Sequence, residues 1–324
     1  MWTNNYKIRI DIDAIAGAFI GVAIFFLSYW LLRSYTSGDQ AAYLKAYNLV
    51  EGLDLAWAHY LYERTISGRD AVHFLITWAY SSLGADKTAV MAIFNAGIAA
   101  YLFLLLRRWG LGIGSVMVIV LTNYYIWVVF LAAERLKFAV LFLILSMLHT
   151  DRTKWFIFFA TLAAVSHVSI LIIYAGIWLV AFAEFIKKTD RFAKINNALL
   201  FSVVVFVAVL LVTWPGVNPK LPTYYRELSI DSFVELFPAL LLLAIAMRQY
   251  GHYWSLFLAF LPIMTGILMF GPSRLNMFAV FVFFFYSTKG SRGMNSALAI
   301  LSAYLLWKTS LFLSNVLEYG HGFP

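Results

Sequence analysis

The sequence predicts an all-α, polytopic integral membrane protein with about eleven transmembrane helices. Of its 324 residues, 63% are hydrophobic and 12% are charged, whereas about a quarter of the residues are charged in an ordinary soluble domain. The mean hydropathy is +0.81, and long apolar runs recur along the whole chain. Eleven spans of about 20 residues leave only about a hundred residues for loops. A sizeable soluble catalytic domain is therefore excluded.

The apolar runs set the number of spans. They cover residues 14–32, 88–106, 111–132, 136–149, 155–187, 197–214, 232–248, 253–270, 275–288 and 295–316. We interpret the first, which follows Lys7 and Arg9, as a retained helix whose N-terminal end is cytoplasmic. The run 155–187 would form a helix about 46 Å long against a membrane core of about 30 Å. It is therefore predicted to be two shorter spans with an apex near Ser166 and His167.

The basic residues fall into two groups. One group fits five cytoplasmic turns: Arg107, Arg108, Arg152, Lys154, Lys187, Lys188, Arg191, Lys194, Arg248, Lys289 and Arg292. The other lies in or beside predicted outer loops, where Lys and Arg are disfavoured: Arg69, Lys87, Arg135, Lys137, Arg226 and Arg274. Converging guanidinium groups suit a diphosphate. The net charge of +8 is attributed to the basic loops and to contacts with anionic lipids or lipid-linked phosphates. Nucleic acid is not an expected partner.

The longest outer segment, residues 33–87, is predicted to carry amphipathic helices within a single membrane domain, 1–324. Its end, residues 70–80, is apolar over too short a distance to span and fits a helix at the outer interface.

Asp39 is a candidate catalytic base, since it lies shortly after the first span beside Gly38, with Tyr43 one helical turn further on. Its carboxylate could accept a proton from a sugar hydroxyl. The alternative is that Asp39 only caps the following helix.

Glu134, Arg135 and Lys137 are candidates for a phosphate clamp, with Tyr124 and Tyr125 nearby along the chain. The alternative is an interfacial pair, Glu134 with Lys137 or Arg135, whose basic side chain snorkels among aromatic residues.

Four further segments add candidates of their own. His167, at the predicted apex, is either a catalytic base or a hydrogen-bonded structural residue. Arg274 is either a catalytic cation at the diphosphate or a side chain that snorkels beside a helix capped by Ser273, and Asn276, two residues later, is a candidate for substrate binding. Arg69, at the edge of the long outer loop, is a further candidate for phosphate binding. Tyr225 and Arg226 fit a sugar-binding edge or an aromatic belt.

Several chemistries are excluded by what the sequence lacks. It contains no cysteine, Walker loop, dinucleotide fingerprint or His-Glu-x-x-His motif. Neither a cofactor nor a metal is predicted, and an ATP-driven pump or a nucleotide-sugar transferase is disfavoured.

Three local features resemble the EpsG-like and Wzy-type polysaccharide polymerases, which belong to the wider GT-C glycosyltransferase group. They are Gly38-Asp39 followed by Tyr43 and Tyr47, Arg135-Leu136-Lys137-Phe138-Ala139, and Ser166-His167-Val168-Ser169-Ile170. Arg274 before Phe278 matches a looser C-terminal pattern. Leu136 stands where the family usually has Gln, and Phe278 where Tyr is common.

The resemblance implies a GT-C-like enzyme of the bacterial inner membrane whose active site faces the periplasm. Such an enzyme transfers a growing glycan from one undecaprenyl diphosphate to the repeat unit on another, for O-antigen, capsule or exopolysaccharide. The same pathway would supply a flippase and a chain-length regulator as partners. A transferase adding single sugars, a transporter or flippase of lipid-linked oligosaccharide, and a non-catalytic assembly partner remain alternatives.

Overall fold

The described part of the chain is helical and contains no strand. The structure, a computed structural model, describes residues 3–66, 70–188, 230–250, 253–272, 274–291 and 294–323. These residues form α1 (Thr3–Ser34), α2 (Asp39–Leu49), α3 (Leu55–Ile66), α4 (Ala71–Ser82), α5 (Lys87–Arg108), α6 (Ile113–Thr122), α7 (Tyr124–Leu131), α8 (Glu134–Leu148), α9 (Thr153–Ser166), α10 (Ile170–Lys188), α11 (Ile230–Tyr250), α12 (Tyr253–Phe270), α13 (Leu275–Ser291) and α14 (Ser296–Tyr319). The all-α prediction is confirmed for the residues described.

The chain divides into two compact units. The first contains Met1–His167 and Ala299–Pro324, and the second contains Val168–Leu298. In the first unit, α1 packs against α5, α5 against α8, and α8 against α9. In the second, α12 packs against α10, α11 and α13.

Close packing of α1 on α5 depends on glycines in α1. A Cβ atom added at Gly21 would lie 3.0 Å from the Ala96 carbonyl oxygen, and one at Gly17 would lie 3.4 Å from that of Ala100. Small residues four apart let two membrane helices approach closely. The two helices are also joined at one end by an ion pair, in which Arg107 Nε lies 2.8 Å from Asp13 Oδ1.

Gly21→Ala is expected to lower the free energy of unfolding by about 1–3 kcal/mol, because the added methyl meets backbone rather than a flexible side chain. Gly97→Ala is the matched control, since nothing lies within 4 Å of a Cβ at Gly97. In a helix, Ala is favoured over Gly, so the control is expected to be neutral or slightly stabilising. Thermal unfolding in one detergent measures both variants, and equal midpoints would contradict the close packing.

Three short helices, α2, α3 and α4, occupy the predicted loop 33–87. They share a hydrophobic cluster of Ala46, Val50, Ala58, Tyr62 and Phe74. The segment that enters α2 is held by the C-terminal end of α14: the Gly320 carbonyl accepts hydrogen bonds from the backbone N–H groups of Thr36 and Ser37, both at 3.0 Å. The expectation of helices in this loop, including one over residues 70–80, is confirmed by α4.

Part of the described chain is long and apolar enough to span a membrane. Four helices are long and apolar enough to cross a membrane: 12–34 within α1, α5, α12 and α14. The pair α6 and α7 makes a fifth if it counts as one span. Helix α8 has 15 residues and reaches about 22 Å, short of a core of about 30 Å. The expected span 197–214 lies outside the described residues. The number eleven stays a prediction.

The run 111–132, predicted as one helix, is broken at Asn123. Helices α6 and α7 meet there at 57°. Asn123 adopts an extended conformation, and its Oδ1 accepts hydrogen bonds from the N–H groups of Tyr125 and Ile126. An N-cap of this kind begins a new helix, which explains the break. In contrast, the interruption predicted near Ser166 and His167 is confirmed: α9 ends at Ser166 and His167 is extended.

Candidate functional site

A group of buried polar side chains lies where α2, α3 and α4 meet the first turns of α5 and α8. We call it the charged cluster and define it as Gln40, Tyr43, Tyr62, Asp70, His73, Lys87, Glu134, Arg135 and Lys137. All of these residues belong to the first unit. The cluster brings together side chains separated by up to 97 residues of sequence.

Arg135 is the cationic group of the cluster with the most exposure. Its Nη1 lies 3.0 Å from Asp70 Oδ2, and the two side chains are 20% and 15% exposed. The Tyr43 hydroxyl lies beside the same guanidinium. Its Nε is buried and has no hydrogen-bond partner among the described residues. Arg135 is thus oriented by two partners while retaining unused donor capacity.

Tyr43 is a neutral partner for Arg135. Burial raises the pKa of Tyr43 to about 12, against the opposing effect of the Arg135 charge. A protonated phenol orients the guanidinium without cancelling its charge.

Glu134 anchors the fully buried half of the cluster. Its Oε1 accepts a hydrogen bond from Lys87 Nζ at 2.6 Å, and Lys87 also donates to Gln40 Oε1 at 2.9 Å. Burial alone would raise the pKa of Glu134, but the neighbouring Lys87 ammonium outweighs that effect and holds the pKa below its ordinary value. Glu134 therefore carries its negative charge in the interior.

His73 connects Glu134 to α3. Its Nδ1 lies 2.7 Å from the Tyr62 hydroxyl, and its Nε2 lies 3.6 Å from Glu134 Oε2, just beyond hydrogen-bond distance. Burial lowers the pKa of His73 below its ordinary 6.5, despite the neighbouring Glu134. A neutral ring that accepts from Tyr62 at Nδ1 carries its proton on Nε2, toward Glu134.

The neutral state of His73 predicts a loss of stability in mild acid. With its pKa lowered in the folded state, the unfolded chain binds the proton first, so stability is full above pH 6.5 and falls below it. We expect His73→Gln to flatten this dependence of the unfolding midpoint. His59→Gln is the control, because the His59 side chain is 47% exposed, and it is expected to leave the pH dependence of the midpoint unchanged. Identical pH profiles for His73→Gln and wild type would contradict a neutral, buried His73.

Lys137 interacts with the partial negative charge at the C-terminal end of α7. Its Nζ donates to the Phe130 carbonyl at 3.0 Å, as Asn95 Nδ2 does at the same distance. Gln40 Nε2 donates to the next carbonyl, that of Leu131. Burial lowers the pKa of Lys137 to about 7. The fully buried amino group is stabilised by donating to a carbonyl at a helix C-terminus, where the free carbonyls carry partial negative charge.

The structure brings together four of the predicted site residues and corrects two alternatives. Tyr43, Glu134, Arg135 and Lys137 share the cluster, but Glu134 and Lys137 are fully buried. The snorkelling pair is therefore wrong: the partner of Glu134 is Lys87, and that of Arg135 is Asp70. Capping by Asp39 is also wrong, because Gly38 is the N-cap and Asp39 is the first residue of α2.

Asp39 is exposed at the first turn of α2. It lies one turn before Tyr43, on the same helix face, since residues four apart are neighbours on a helix surface. The structure thus places this candidate base near the Tyr43 that contacts Arg135.

The remaining candidates lie elsewhere. Tyr124 and Tyr125 begin α7, and His167 is 8% exposed at the end of α9. Arg274 is exposed in the second unit, immediately before α13, and Asn276 lies in the first turn of α13. Arg69, Tyr225 and Arg226, like the proposed cap Ser273, lie outside the described residues. Among the described residues, no group of three or more His, Asp or Glu side chains is arranged to hold a metal.

The sequence did not predict four members of the charged cluster, Gln40, Tyr62, Asp70 and His73, and it predicted Lys87 only as a basic residue on the outer side. Two weak signals pointed to them. Lys87 is a lysine on the predicted outer side, and His73 and Asp70 open a segment that is too short to span.

The chain matches no family model, no curated protein and no solved structure. Its function is therefore argued from its own residues.

Proposed function

We propose that the protein is a polymerase of undecaprenyl-diphosphate-linked oligosaccharide repeat units, with a GT-C-like arrangement of about eleven spans. It would act in the bacterial inner membrane with the charged cluster at the periplasmic face. The observation that carries the proposal is Arg135, held by Asp70 and Tyr43 with part of its surface exposed. The resemblance of the Asp39, Arg135 and His167 segments to the EpsG-like and Wzy-type polymerases supports the same function.

The proposed reaction is a substitution at the anomeric carbon of the donor glycan. The acceptor sugar hydroxyl attacks this carbon, and the bond from the carbon to the diphosphate oxygen breaks, with its electron pair leaving on the diphosphate. The hydroxyl proton passes to Asp39, or to His167 if that residue reaches the acceptor. The products are a lengthened glycan on the incoming lipid and free undecaprenyl diphosphate.

Arg135 would stabilise the negative charge that develops on the leaving diphosphate. Guanidinium donors fit phosphate oxygens in pairs, and their effect is larger in a site that excludes water. Asp70 and Tyr43 would hold the guanidinium in position before the substrate arrives. Arg274 and Arg226 remain candidates for further phosphate contacts, and Arg69, Tyr124, Tyr125, Tyr225 and Asn276 for contacts with the glycan.

A second candidate is a transporter of lipid-linked oligosaccharide. The observation that favours it is the break between α6 and α7. Discontinuous helices form substrate sites in many transporters because free helix ends bind ions.

Product analysis separates these functions. Purified protein in proteoliposomes is incubated with lipid-diphosphate repeat units, with and without a chelator. We expect a ladder of polymer in both samples. A single added unit would indicate a transferase, and movement of unmodified lipid across the bilayer would indicate the transporter. The absence of any product would contradict a polymerase, and a ladder that requires metal would contradict the proposed metal-free chemistry.

A further inference from the structure

Gln40 is a buried amide beside the candidate base. It is the second residue of α2 and directly follows the exposed Asp39, whereas Gln40 itself is only 4% exposed. A buried amide is costly unless its donor and its acceptor are both hydrogen bonded. Both ends of the Gln40 side chain have such a partner.

The two partners of Gln40 fix the orientation of its amide. Its Oε1 accepts a hydrogen bond from Lys87 Nζ at 2.9 Å, and its Nε2 donates to the Leu131 carbonyl at 2.5 Å. An ammonium group only donates and a carbonyl only accepts, so an amide turned the other way would lose both bonds. Gln40 therefore joins the first turn of α2 to the first residue of α5 and to the last residue of α7.

The connection continues from Lys87 to the start of α8. Lys87 Nζ also donates to Glu134 Oε1 at 2.6 Å, and Glu134 and Arg135 are the first two residues of α8. The Lys87 ammonium thus bridges the amide of Gln40 and the carboxylate of Glu134. In this way the residue next to Asp39 is linked, through one lysine, to the residue next to Arg135.

Tyr43 indicates that Asp39 and Arg135 lie in the same region. It follows Asp39 by one helical turn, lies beside the Arg135 guanidinium and interacts electrostatically with both charges. Asp39 is exposed and the Arg135 side chain is 20% exposed, so both keep surface for a substrate. Their buried neighbours along the chain make the hydrogen bonds that hold them there.

The backbone that leads into α2 is held from another side. Gly38 has a φ of 62°, which glycine adopts without strain. Before it, Ser37 Oγ and the N–H groups of Thr36 and Ser37 all donate to the Gly320 carbonyl, each at 3.0 Å. These bonds fix where the chain enters α2, and Gln40 then fixes the first turn of α2 against α5 and α7.

We propose that Gln40 is a positioning residue that holds Asp39 at a fixed place relative to Arg135. This inference rests on the proposed function, in which Asp39 takes the proton of the acceptor hydroxyl and Arg135 stabilises the leaving diphosphate. The two groups act on opposite sides of one substitution, so the rate depends on their separation. A misplacement of about 1 Å can lower a rate about 100-fold. Gln40 acts through Asp39 and does not contact the substrate.

The kinetics of polymer synthesis in proteoliposomes test this role. Gln40→Met removes both hydrogen bonds with little change in side-chain volume and is expected to lower kcat about tenfold or more. KM is expected to stay within about threefold of wild type, because Arg135 is retained. Gln40→Glu keeps the acceptor for Lys87 but lacks the donor for the Leu131 carbonyl, so its kcat should lie between those of Gln40→Met and wild type. It also carries the test if Gln40→Met does not fold.

Ser81→Ala is the matched control. Ser81 is 1% exposed, and its Oγ donates to the Tyr47 carbonyl of α2 at 2.6 Å, so this variant also loses a buried hydrogen bond to α2. Tyr47 lies two turns after Asp39, about 12 Å along the helix axis. We expect the kcat and KM of Ser81→Ala to stay near those of wild type. An equal fall of kcat in Ser81→Ala and Gln40→Glu would indicate a general loosening of α2 and would overturn the inference.

A second measurement reports the position of α2 without activity. The chain contains no cysteine, so spin labels can be attached through Ala41→Cys and Ile93→Cys. Ala41 is exposed in the first turn of α2, and Ile93 is 59% exposed on α5. Pulsed dipolar spectroscopy gives the distribution of distances between the two labels. We expect Gln40→Met to broaden or shift this distribution and Ser81→Ala to leave it unchanged.

The two measurements separate failure of this inference from failure of the proposed function. An unchanged distance distribution in Gln40→Met would overturn the inference, and so would a changed distribution with a wild-type kcat. Absence of polymer from the wild-type protein would contradict the proposed function instead. In that case the distances still decide whether Gln40 fixes the start of α2.

Discussion

Arg135→Ala is expected to lower the initial rate of polymer synthesis about 100-fold or more, the effect typical of removing one donor to a developing negative charge. The guanidinium is the exposed cation of the charged cluster, and no neighbouring side chain takes its place: Lys87 and Lys137 are engaged by Glu134 and by the Phe130 carbonyl. The measurement is polymer formed per unit time in proteoliposomes that contain equal amounts of folded protein.

Arg107→Ala is the matched control for Arg135. It breaks an ion pair of similar burial, with Arg107 and Asp13 10% and 18% exposed, at the opposite end of α5 from Lys87. We expect this variant to keep most of the activity. Arg135→Lys should fall between wild type and Arg135→Ala because it keeps the charge but loses the paired donors. Wild-type rates from folded Arg135→Ala would contradict a role for Arg135 at the diphosphate.

Lys87→Met is expected to lower the free energy of unfolding by about 3–5 kcal/mol, because it leaves Glu134 charged and fully buried without its closest partner. The double variant Lys87→Met, Glu134→Leu removes both charges and is expected to recover most of this loss. Unfolding midpoints of wild type, the two single variants and the double variant give the coupling between the residues.

Arg108→Met is the control for the buried pair, since it breaks an ion pair with Asp151 in which the side chains are 44% and 62% exposed. Exposed pairs contribute little, so its midpoint should stay near that of wild type. Strictly additive effects of Lys87→Met and Glu134→Leu would mean that the 2.6 Å contact is not the source of stability.

Much of the helical framework follows from the sequence. Helix α5 begins and ends within two residues of the predicted run 88–106, and α12 spans the predicted 253–270. The prediction works for these segments because a long apolar run bounded by polar residues can satisfy its backbone hydrogen bonds in a bilayer by forming a helix. The interruption at Ser166 and His167 was predictable for a related reason, since one helix of that length exceeds the bilayer.

The break at Asn123 was not predictable from hydropathy. A single polar residue hardly lowers the average of an apolar run, and its effect depends on capping geometry and on partners such as Thr309, 187 residues away from Thr122. Contacts between residues so far apart along the chain cannot be predicted from local composition.

The candidate site was predicted only in part, for the same reason. Arg135 stood out because basic residues are rare in short outer loops, and Tyr43 because it follows Asp39 by one turn. Asp70 and His73 are their neighbours in space, and they lie just before and within α4, which the sequence predicts only as an interfacial helix. Their roles depend on folding α4 against α8, a contact between residues more than 60 positions apart.

The stoichiometry of the reaction of the wild-type protein tests the proposed polymerase most directly. Free undecaprenyl diphosphate and new glycosidic bonds are counted in the same proteoliposome reaction with lipid-linked repeat units. Transfer of the growing glycan from its carrier predicts one undecaprenyl diphosphate released for every bond formed. Bonds formed without release of the carrier diphosphate, or no bonds at all from folded protein, would contradict the proposal.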